Sequence, residues 1–351
     1  MKHLFLGIFF SSNIFLFSQE KDSLNSKISL DFSGYVDAYY NTATHAGNET
    51  KIEPFLYNHT TKSNAKINLA LLKTQLTYRN FYAKIAIQTG TYAKTNYPKA
   101  QQWLNEASIG VTLSTKSSIE VGILPSYIGF ETATSATNLT ASRSLLAENS
   151  PYYMTGVKFN HQFNEKWFLA IMLSNGWQTI SSSVNKLPNF GSQVQFKPSK
   201  NTLYNWSTFI GDIQVNENYV TRIFSNFYLD KTWNDSFKTQ IGFDIGWQKR
   251  YASSGFATWL SPVVINQYQV TSKWAVAHRL EYYQDRENVL IQSILLVPFK
   301  TIGNSINVDY SFSKKIKLRT EGKWYHATEN VLANSTKKNN LYWLTTLSYS
   351  F

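Results

Sequence analysis

The chain has 351 residues, a formal net charge of +12 and no cysteine. The lack of cysteine excludes a disulfide framework, a thiolate metal site and a cysteine-linked lipid anchor. Aromatic residues make up 16% of the chain although its mean hydropathy is −0.30, which favours faces of opposite character over one large apolar core.

Residues 1–18 are predicted to form a secretory signal peptide, with a basic start followed by the apolar segments Leu4–Phe10 and Ile14–Phe17. A transmembrane anchor is the alternative, and the polar run Ser11–Asn13 argues against it. Residues 19–351 are then one exported domain, without a run of the roughly 18 apolar residues that a membrane helix needs. Such a domain can span a membrane only as a closed β-barrel.

Alternation of apolar and polar side chains dominates the mature chain and predicts strands with one apolar face. The first strand is predicted over 28–40, and a long polar connection over 41–63 leads to the second, over 64–78. A change of parity at Leu71–Leu72 predicts a β-bulge in that second strand. Further strands are predicted over 81–88, 106–113, 119–124, 152–163, 167–173, 191–196, 202–211, 219–232, 237–248, 258–270, 274–285, 305–312, 316–326 and 341–351.

The connections between these strands alternate between short and long. The longest is Pro125–Pro151, in which Ala141–Glu148 is the one stretch with helical character. Short turns on one side and long loops on the other are typical of bacterial outer-membrane barrels. We therefore expect an all-β fold: a transmembrane antiparallel up-and-down β-barrel of about sixteen strands, with short periplasmic turns and long extracellular loops.

The last predicted strand, Leu341–Phe351, has apolar or aromatic residues at nearly every second position and ends on Phe351. It resembles the closing strand of Gram-negative outer-membrane barrels. The resemblance implies that the barrel assembly machinery recognises this strand. An edge strand of a soluble β-domain is the alternative.

Charged side chains test the membrane interpretation, because Lys or Arg on the lipid face costs about 2–4 kcal/mol near the bilayer midplane. Most charges in the predicted strands share the parity opposite the apolar stripe, and His278 is the main exception. Tryptophans fall near predicted strand ends, as aromatic girdles require, with Trp206 as the exception. The inward-facing charges are Asp31, Asp37, Lys84, Glu106, Glu120, Lys158, Arg222, Asp230, Lys238, Asp244, Arg279, Glu281, Asp309, Arg319, Glu321 and Lys323.

Six of these charges would face one another across three successive strands. One interpretation is a wall of cross-strand ion pairs that keeps the lumen polar. The other is a pore-lining cluster whose transverse field orients passing solutes at a constriction. The six residues are Arg279, Glu281, Asp309, Arg319, Glu321 and Lys323.

Short segments along the mature chain resemble a known family. They are Phe32–Tyr40, Asn68–Ala70, Arg143–Leu145, Glu148–Tyr153, Thr155–Val157, Ser174–Trp177, Asn307–Tyr310 and the final Phe351. On these segments the chain resembles the β-barrel porin family typified by outer-membrane-protein-L-like proteins. The resemblance implies a place in the cell outer membrane, contact with its lipid and lipopolysaccharide, and passive diffusion of small polar solutes. The oligomeric state stays open, with a homotrimer among the candidates.

The loop over 125–151 joins the fifth and sixth predicted strands, and in general porins the loop at that place folds inward and narrows the pore. We expect the same here, with Glu131, Arg143 and Glu148 as the charges of the constriction. An outward-facing surface loop is the alternative.

Signatures of other functions are lacking. The sequence contains no phosphate-binding glycine loop or nucleophile elbow, and its six histidines show no metal-ligand spacing. We therefore expect neither enzyme activity nor a cofactor or metal, and we expect no nucleic-acid partner for an exported barrel. A closed structural or surface-interaction barrel and a substrate-specific channel remain the alternatives to a porin-like channel.

Overall fold

The computed structural model describes residues 28–45, 51–181, 188–215 and 218–351, so the predicted signal peptide lies outside the described residues. The described part of the chain contains sixteen β-strands. Their bounds are β1 Ser29–Ala43, β2 Lys66–Tyr78, β3 Phe81–Thr89, β4 Leu104–Ser114, β5 Ser117–Pro125, β6 Tyr153–Gln162, β7 Trp167–Ser174, β8 Asn189–Ser199, β9 Thr202–Val215, β10 Asn218–Thr232, β11 Phe237–Lys249, β12 Phe256–Gln269, β13 Trp274–Asp285, β14 Phe299–Ser311, β15 Ile316–Ala327 and β16 Asn339–Ser350.

Each strand pairs antiparallel with its neighbours in the chain, and β1 pairs with β16 to close the barrel. Closure leaves no strand edge with unpaired backbone groups, which is the condition for a sheet to lie in lipid. The predicted all-β, sixteen-strand, up-and-down barrel is confirmed.

The helices are short. They are α1 (Thr91–Asn96), α2 (Leu145–Glu148) and two 3₁₀ turns at Lys99–Gln101 and Ser135–Thr137. The α2 helix lies in the stretch predicted to have helical character, and the Ser144 hydroxyl caps it by accepting a hydrogen bond from the Ala147 N–H. None of the helices in the described part of the chain is long and apolar enough to span a membrane.

The strands connect through long loops at one end and short turns at the other. We name the loops L1 (44–65), L2 (90–103), L3 (126–152), L4 (175–188), L5 (216–217), L6 (250–255), L7 (286–298) and L8 (328–338), from the strand bounds. L5 departs from the predicted pattern, because β9 extends to Val215 and β10 begins at Asn218. The extension over 212–215 also alternates, but its polar side chains take the outward parity, so the apolar stripe gave no sign of a longer strand.

The two faces of the barrel differ as the parity predicted. Ile85, Ile109 and Ile306 are 57–67% exposed on the outer face, whereas inward charges such as Asp37 and Glu106 are buried. His278 lies on the outer face beside Ile306 in the β13–β14 register, as its parity predicted. The opposed faces explain how a chain rich in aromatic residues keeps a negative mean hydropathy.

Two of the tryptophans predicted to belong to aromatic girdles, from their positions near strand ends, instead lie inside the barrel. Trp259 is 1% exposed, and Trp177 packs edge-on against Phe209 and Phe224. The guanidinium of Arg222 lies over the rings of both tryptophans. These rings therefore contribute to an interior aromatic cluster near the long-loop end.

The bulge in β2 lies at Asn68 rather than at the predicted Leu71–Leu72. The register against β1 shifts between Asp37, which pairs with Leu69, and Ala38, which pairs with Ile67. The Asn68 side chain explains the position, because its Oδ1 accepts a 2.9 Å hydrogen bond from the backbone N–H of His59. The position of the bulge is therefore set by a buried polar contact with L1. The parity of apolar residues carries no information about such a contact.

The seam between β1 and β16 involves the terminal residue. Gly34 and Phe351 exchange two backbone hydrogen bonds of 3.0 Å, and a Cβ atom on Gly34 would lie 2.1 Å from the Phe351 ring. The terminal ring therefore covers the glycine on the outer face of the closing strand pair.

We expect Phe351→Ala to lower the stability of the refolded barrel by about 1 kcal/mol, because it removes a cross-strand contact at the closing seam. Urea unfolding of the detergent-solubilised protein measures the change. Phe312→Ala is the matched control, since Phe312 is similarly exposed at 54% but lies in the turn after β14. Equal unfolding midpoints for the two variants would contradict the role given to the terminal ring.

Candidate channel interior

L3 crosses the inside of the barrel instead of extending from its rim. Near its start, the Tyr127 hydroxyl donates to the carbonyl of Thr208 on β9, at 2.7 Å. Further along, the backbone N–H of Ala141 donates to Asn307 Oδ1 on β14, at 3.1 Å. The backbone N–H of Leu145 donates to Glu281 on β13, at 2.6 Å. The loop thus runs from the β9 wall to the β13–β14 wall.

Arg279 on β13 joins the barrel wall to L3. Its guanidinium donates to the Ser142 carbonyl at 2.8 Å and to the hydroxyls of Thr140 and Ser142, both at 2.9 Å. It also donates to Glu321 Oε1 on β15 at 2.8 Å, and Glu321 Oε2 accepts a hydrogen bond from the Ser142 N–H at 2.6 Å. Loop and wall therefore share one charge-assisted network, which is stronger than neutral hydrogen bonds alone.

Arg319 on β15 makes a second junction of the same kind. It pairs with both carboxylate oxygens of Asp309, at 2.7 and 3.0 Å, and donates to the carbonyls of Asn138 and Thr140 at 3.1 and 3.0 Å. The Lys323 ammonium donates to the Ser142 hydroxyl at 3.2 Å. The planar arginine fork suits this simultaneous contact with a carboxylate and with backbone carbonyls.

The six inward charges singled out from the sequence thus lie together on β13–β15, beneath L3. In register, Asp309 is opposite Arg319, and Glu281 and Glu321 both contact the loop. Each of the six is at most 5% exposed, so the loop rather than open lumen occupies the space in front of them. Parity could place these side chains on the inner face, but nothing in their spacing indicated the loop that covers them.

The three charges of L3 have separate surroundings. Glu131 accepts hydrogen bonds from the N–H and hydroxyl of Ser144 and lies 4.0 Å from Arg279. Glu148 accepts hydrogen bonds from backbone N–H groups of L1. The Arg143 guanidinium lies 4.0 Å from the centroid of the Tyr152 ring. All three are at most 6% exposed.

L1 also folds into the long-loop end, which sequence analysis missed. The carboxylate of Glu148 accepts from the N–H groups of Tyr57 and Asn58, at 2.7 and 3.2 Å. His59 Nε2 lies 2.8 Å from the buried Asp37 carboxylate on β1. From the sequence, L1 was interpreted as a polar connection. The signal that could have revealed its inward fold is the apolar segment that it contains.

That apolar segment fills part of the mouth. Ile52, Phe55 and Leu56 are 2–5% exposed and belong to a cluster with residues of L3, L7, L8 and the strands. The ring of Phe55 packs edge-on against Phe299 of β14, with centroids 4.9 Å apart. L1, L3 and the β13–β16 side of the barrel thus form one packed unit.

We expect Glu148→Ala to release L1 from L3. The substitution leaves two backbone N–H groups without their charged acceptor, at a cost of about 1.5–3 kcal/mol. Hydrogen–deuterium exchange at Tyr57 and Asn58 should accelerate accordingly. Glu287→Ala is the control, because that carboxylate pairs with Arg250 between L6 and L7 and has no hydrogen bond with the described residues of L1. Unchanged exchange in Glu148→Ala would show that L1 docks without this carboxylate.

The opposite side of the barrel is more open. A cavity of about 400 Å³ lies between L3 and the β2–β4 wall, and a second, of about 280 Å³, lies on the loop side of Glu148; Tyr152 lines both. A chain of ion pairs begins in the lining of the first cavity with Lys73–Glu106 at 2.6 Å and continues with Lys84–Glu120 at 2.6 Å and Lys158–Glu120 at 3.6 Å. The three lysine side chains are 18–35% exposed, and three lysines against two glutamates leave one positive charge in excess.

Lys73 was absent from the inward charges expected from the sequence. It lies on β2, five residues after the bulge at Asn68, and pairs with Glu106 of β4. Within the described residues, no group of three or more His, Asp or Glu side chains is arranged to hold a metal ion.

The barrel is closed and antiparallel, with an apolar outer face, polar groups inside and long loops at one end. These features define the class of outer-membrane barrels, and sixteen strands are typical of porins within that class. The chain belongs to the family described as "Putative beta-barrel porin-2, OmpL-like", whose sequence model matches residues 29–351. It is therefore a porin-family protein of the outer membrane.

Solved structures share the fold at low sequence identity. An anion-selective porin from Comamonas acidovorans has a TM-score of 0.65 and 9% identity, covering 93% of this chain and 100% of that one. The outer membrane channel DcaP of Acinetobacter baumannii has a TM-score of 0.64 and 12% identity, covering 92% and 97%. Salmonella typhi OmpF, in a complex with daunomycin, has a TM-score of 0.61 and 11% identity, covering 92% and 97%. No curated protein sequence matches the chain at a significant level.

Proposed function

We propose that small hydrophilic solutes diffuse passively through this barrel along the β2–β6 wall, past L3. The observation that carries the proposal is the asymmetry of the interior. L3 packs against β13–β15 through buried charges, whereas the β2–β6 wall keeps a cavity of about 400 Å³ and partly exposed lysines. Polar groups along a lumen replace part of a solute's hydration and exclude apolar material.

In this proposal L3 is the constriction, and the six buried charges of β13–β15 hold it in place. A loop that is bound to the wall from β9 to β15 narrows the lumen and leaves space on the β2–β6 side. Glu131 and Glu148 secure the loop, and Arg143 faces the remaining space. Family membership supports transport without catalysis.

Further parts of the proposal concern assembly and surroundings. Residues 1–18 serve as the export signal, and the terminal strand with Phe351 is recognised by the assembly machinery. The apolar outer face contacts outer-membrane lipid and lipopolysaccharide. A homotrimer remains a candidate assembly.

Planar-bilayer recording of the refolded protein in a salt gradient tests the proposed function. We expect discrete channel openings, with a conductance below that expected for a barrel of this size with an empty lumen. The reversal potential reports the charge preference in the same experiment. Refolded barrels that insert and yet give no openings would contradict a passive channel.

A closed barrel is the second candidate, and one observation favours it. The apolar cluster that joins Ile52, Phe55 and Leu56 of L1 to L3 and the wall occupies part of the mouth, and L4 contacts both L2 and L3 through Gln178. Under this alternative the long loops act at the cell surface and the lumen carries no current. The same recording distinguishes the two.

A further inference from the structure

Arg143 in L3 is a buried cation without a carboxylate within salt-bridge distance among the residues that the structure describes. Its side chain is 5% exposed, and neither Nε nor Nη1 has a hydrogen-bond partner among the residues that the structure describes. The face of the Tyr152 ring lies 4.0 Å from the guanidinium carbon. Burying a charge without a partner is costly, so such a group marks a place where a ligand can bind.

The acids near Arg143 are engaged elsewhere. Glu131 attracts Arg143 electrostatically, but it makes its hydrogen bonds with Ser144 and lies 4.0 Å from Arg279. Glu148 accepts hydrogen bonds from L1 and from the Tyr152 hydroxyl. Glu106 on β4 pairs with Lys73 at 2.6 Å. Arg143 therefore contrasts with Arg279 and Arg319, the two arginines that hold L3 to the opposite wall and are paired with carboxylates.

Arg143 lines the 400 Å³ cavity between L3 and the β2–β4 wall. The same cavity is lined by apolar and aromatic side chains, together with Glu131 of L3 and the ion pair of Lys73 and Glu106 on the facing strands. The apolar and aromatic lining includes Leu69, Leu71, Tyr92, Tyr97, Ile128 and Phe130. A cavity of this size, largely apolar with a few convergent polar groups, has the usual form of a small-molecule site.

We propose that this cavity binds a small organic carboxylate with an apolar body. The carboxylate meets the free guanidinium of Arg143, whose planar fork matches its two oxygens. The apolar body lies against the tyrosine, leucine and Phe130 side chains. The site rests on the proposed function, since it lies beside the proposed passage, and it makes the channel selective for such solutes.

Inorganic phosphate also fits an arginine fork, so the guanidinium alone does not separate the two anions. The apolar lining favours the carboxylate, because phosphate offers nothing to pack against it. Binding of phosphate as tightly as an aromatic carboxylate would therefore overturn the assigned class.

Calorimetry on the refolded protein in detergent tests the proposal without requiring an open channel. The probe is benzoate, compared with neutral benzamide, with acetate and with inorganic phosphate. We expect saturable binding of benzoate and at least about tenfold weaker binding of the other three, because each lacks the charge or the apolar body. Benzoate that fails to bind, or binds no better than benzamide, overturns the proposal.

Variants locate the site. Arg143→Gln should weaken benzoate binding at least about tenfold, and Arg143→Lys should weaken it less, because it keeps the charge but loses the planar fork. Arg250→Gln removes the same charge from an exposed pair between L6 and L7 and should leave binding unchanged. If Arg143→Gln does not refold, as judged by heat-modifiable mobility in gels, the wild-type comparison of benzoate with benzamide decides.

Bilayer recording separates this site from the proposed function. Channel openings that are insensitive to benzoate, together with no binding by calorimetry, leave a passive channel and overturn the site. Benzoate binding without any channel openings upholds the site and overturns passive diffusion. The site and the passive channel are both upheld if benzoate binds and reduces the current of the wild type, and reduces the current of Arg143→Gln less.

Discussion

Deletion of Thr132–Ser144 is expected to raise the single-channel conductance of the refolded protein severalfold. These residues make most of the contacts between L3 and the β13–β15 wall, including those to Arg279, Arg319 and Glu321. Removing them frees the cross-section that the loop now occupies. Because the side chain of Glu131 contacts Ser144, the two ends of the deleted segment lie close together, and a short linker can join them.

Deletion of Tyr251–Ser254 in L6 is the control for this experiment. This deletion shortens an outer loop that lies at the rim. The conductance of the deletion variant should therefore match that of the wild type. If the L3 deletion refolds and its conductance also matches the wild type, L3 is not the constriction.

Replacing Arg279 by Met should destabilise the barrel and loosen L3. The substitution removes a fully buried cation that lies within 4.0 Å of three carboxylates, those of Glu131, Glu281 and Glu321. Removing one partner of a buried ion-pair network costs about 3–5 kcal/mol, because the remaining charges are left uncompensated. Denaturant unfolding in detergent measures the loss, and open-channel current noise should rise as the loop moves.

Two further variants make this result specific. Arg250→Met removes an arginine from an exposed pair and should leave both stability and current noise as in the wild type. The double variant Arg279→Met with Glu321→Leu should recover part of the lost stability, since removing both partners is less costly than removing one. If Arg279→Met has the stability and the current noise of the wild type, the position of L3 does not depend on this residue.

Much of the barrel could be predicted because its two faces differ so strongly. Alternation with period 2 places Ile85, Ile109 and Ile306 outside and Arg279 and Arg319 inside, and lipid on one side makes any slip of register costly. The same constraint explains why His278 could be assigned to the outer face from its parity alone.

The interior was less predictable because its loops follow no period. The apolar residues Ile52, Phe55 and Leu56 of L1 pack into the mouth through contacts with strands that lie far away in the chain. The position of the bulge depends on Asn68 and its contact with His59. Long-range contacts of this kind have no signature in local spacing.

The most direct test asks which wall of the barrel the solutes meet. The chain has no cysteine, so a single cysteine can be placed on either wall and treated with a negatively charged thiol reagent during recording. Lys73→Cys replaces a side chain that is 35% exposed at the cavity, and Ser305→Cys replaces one that is 2% exposed beneath L3. Passage along the β2–β6 wall predicts that the reagent reduces the current of Lys73→Cys and leaves that of Ser305→Cys unchanged. A reduction in Ser305→Cys with no effect in Lys73→Cys would contradict it.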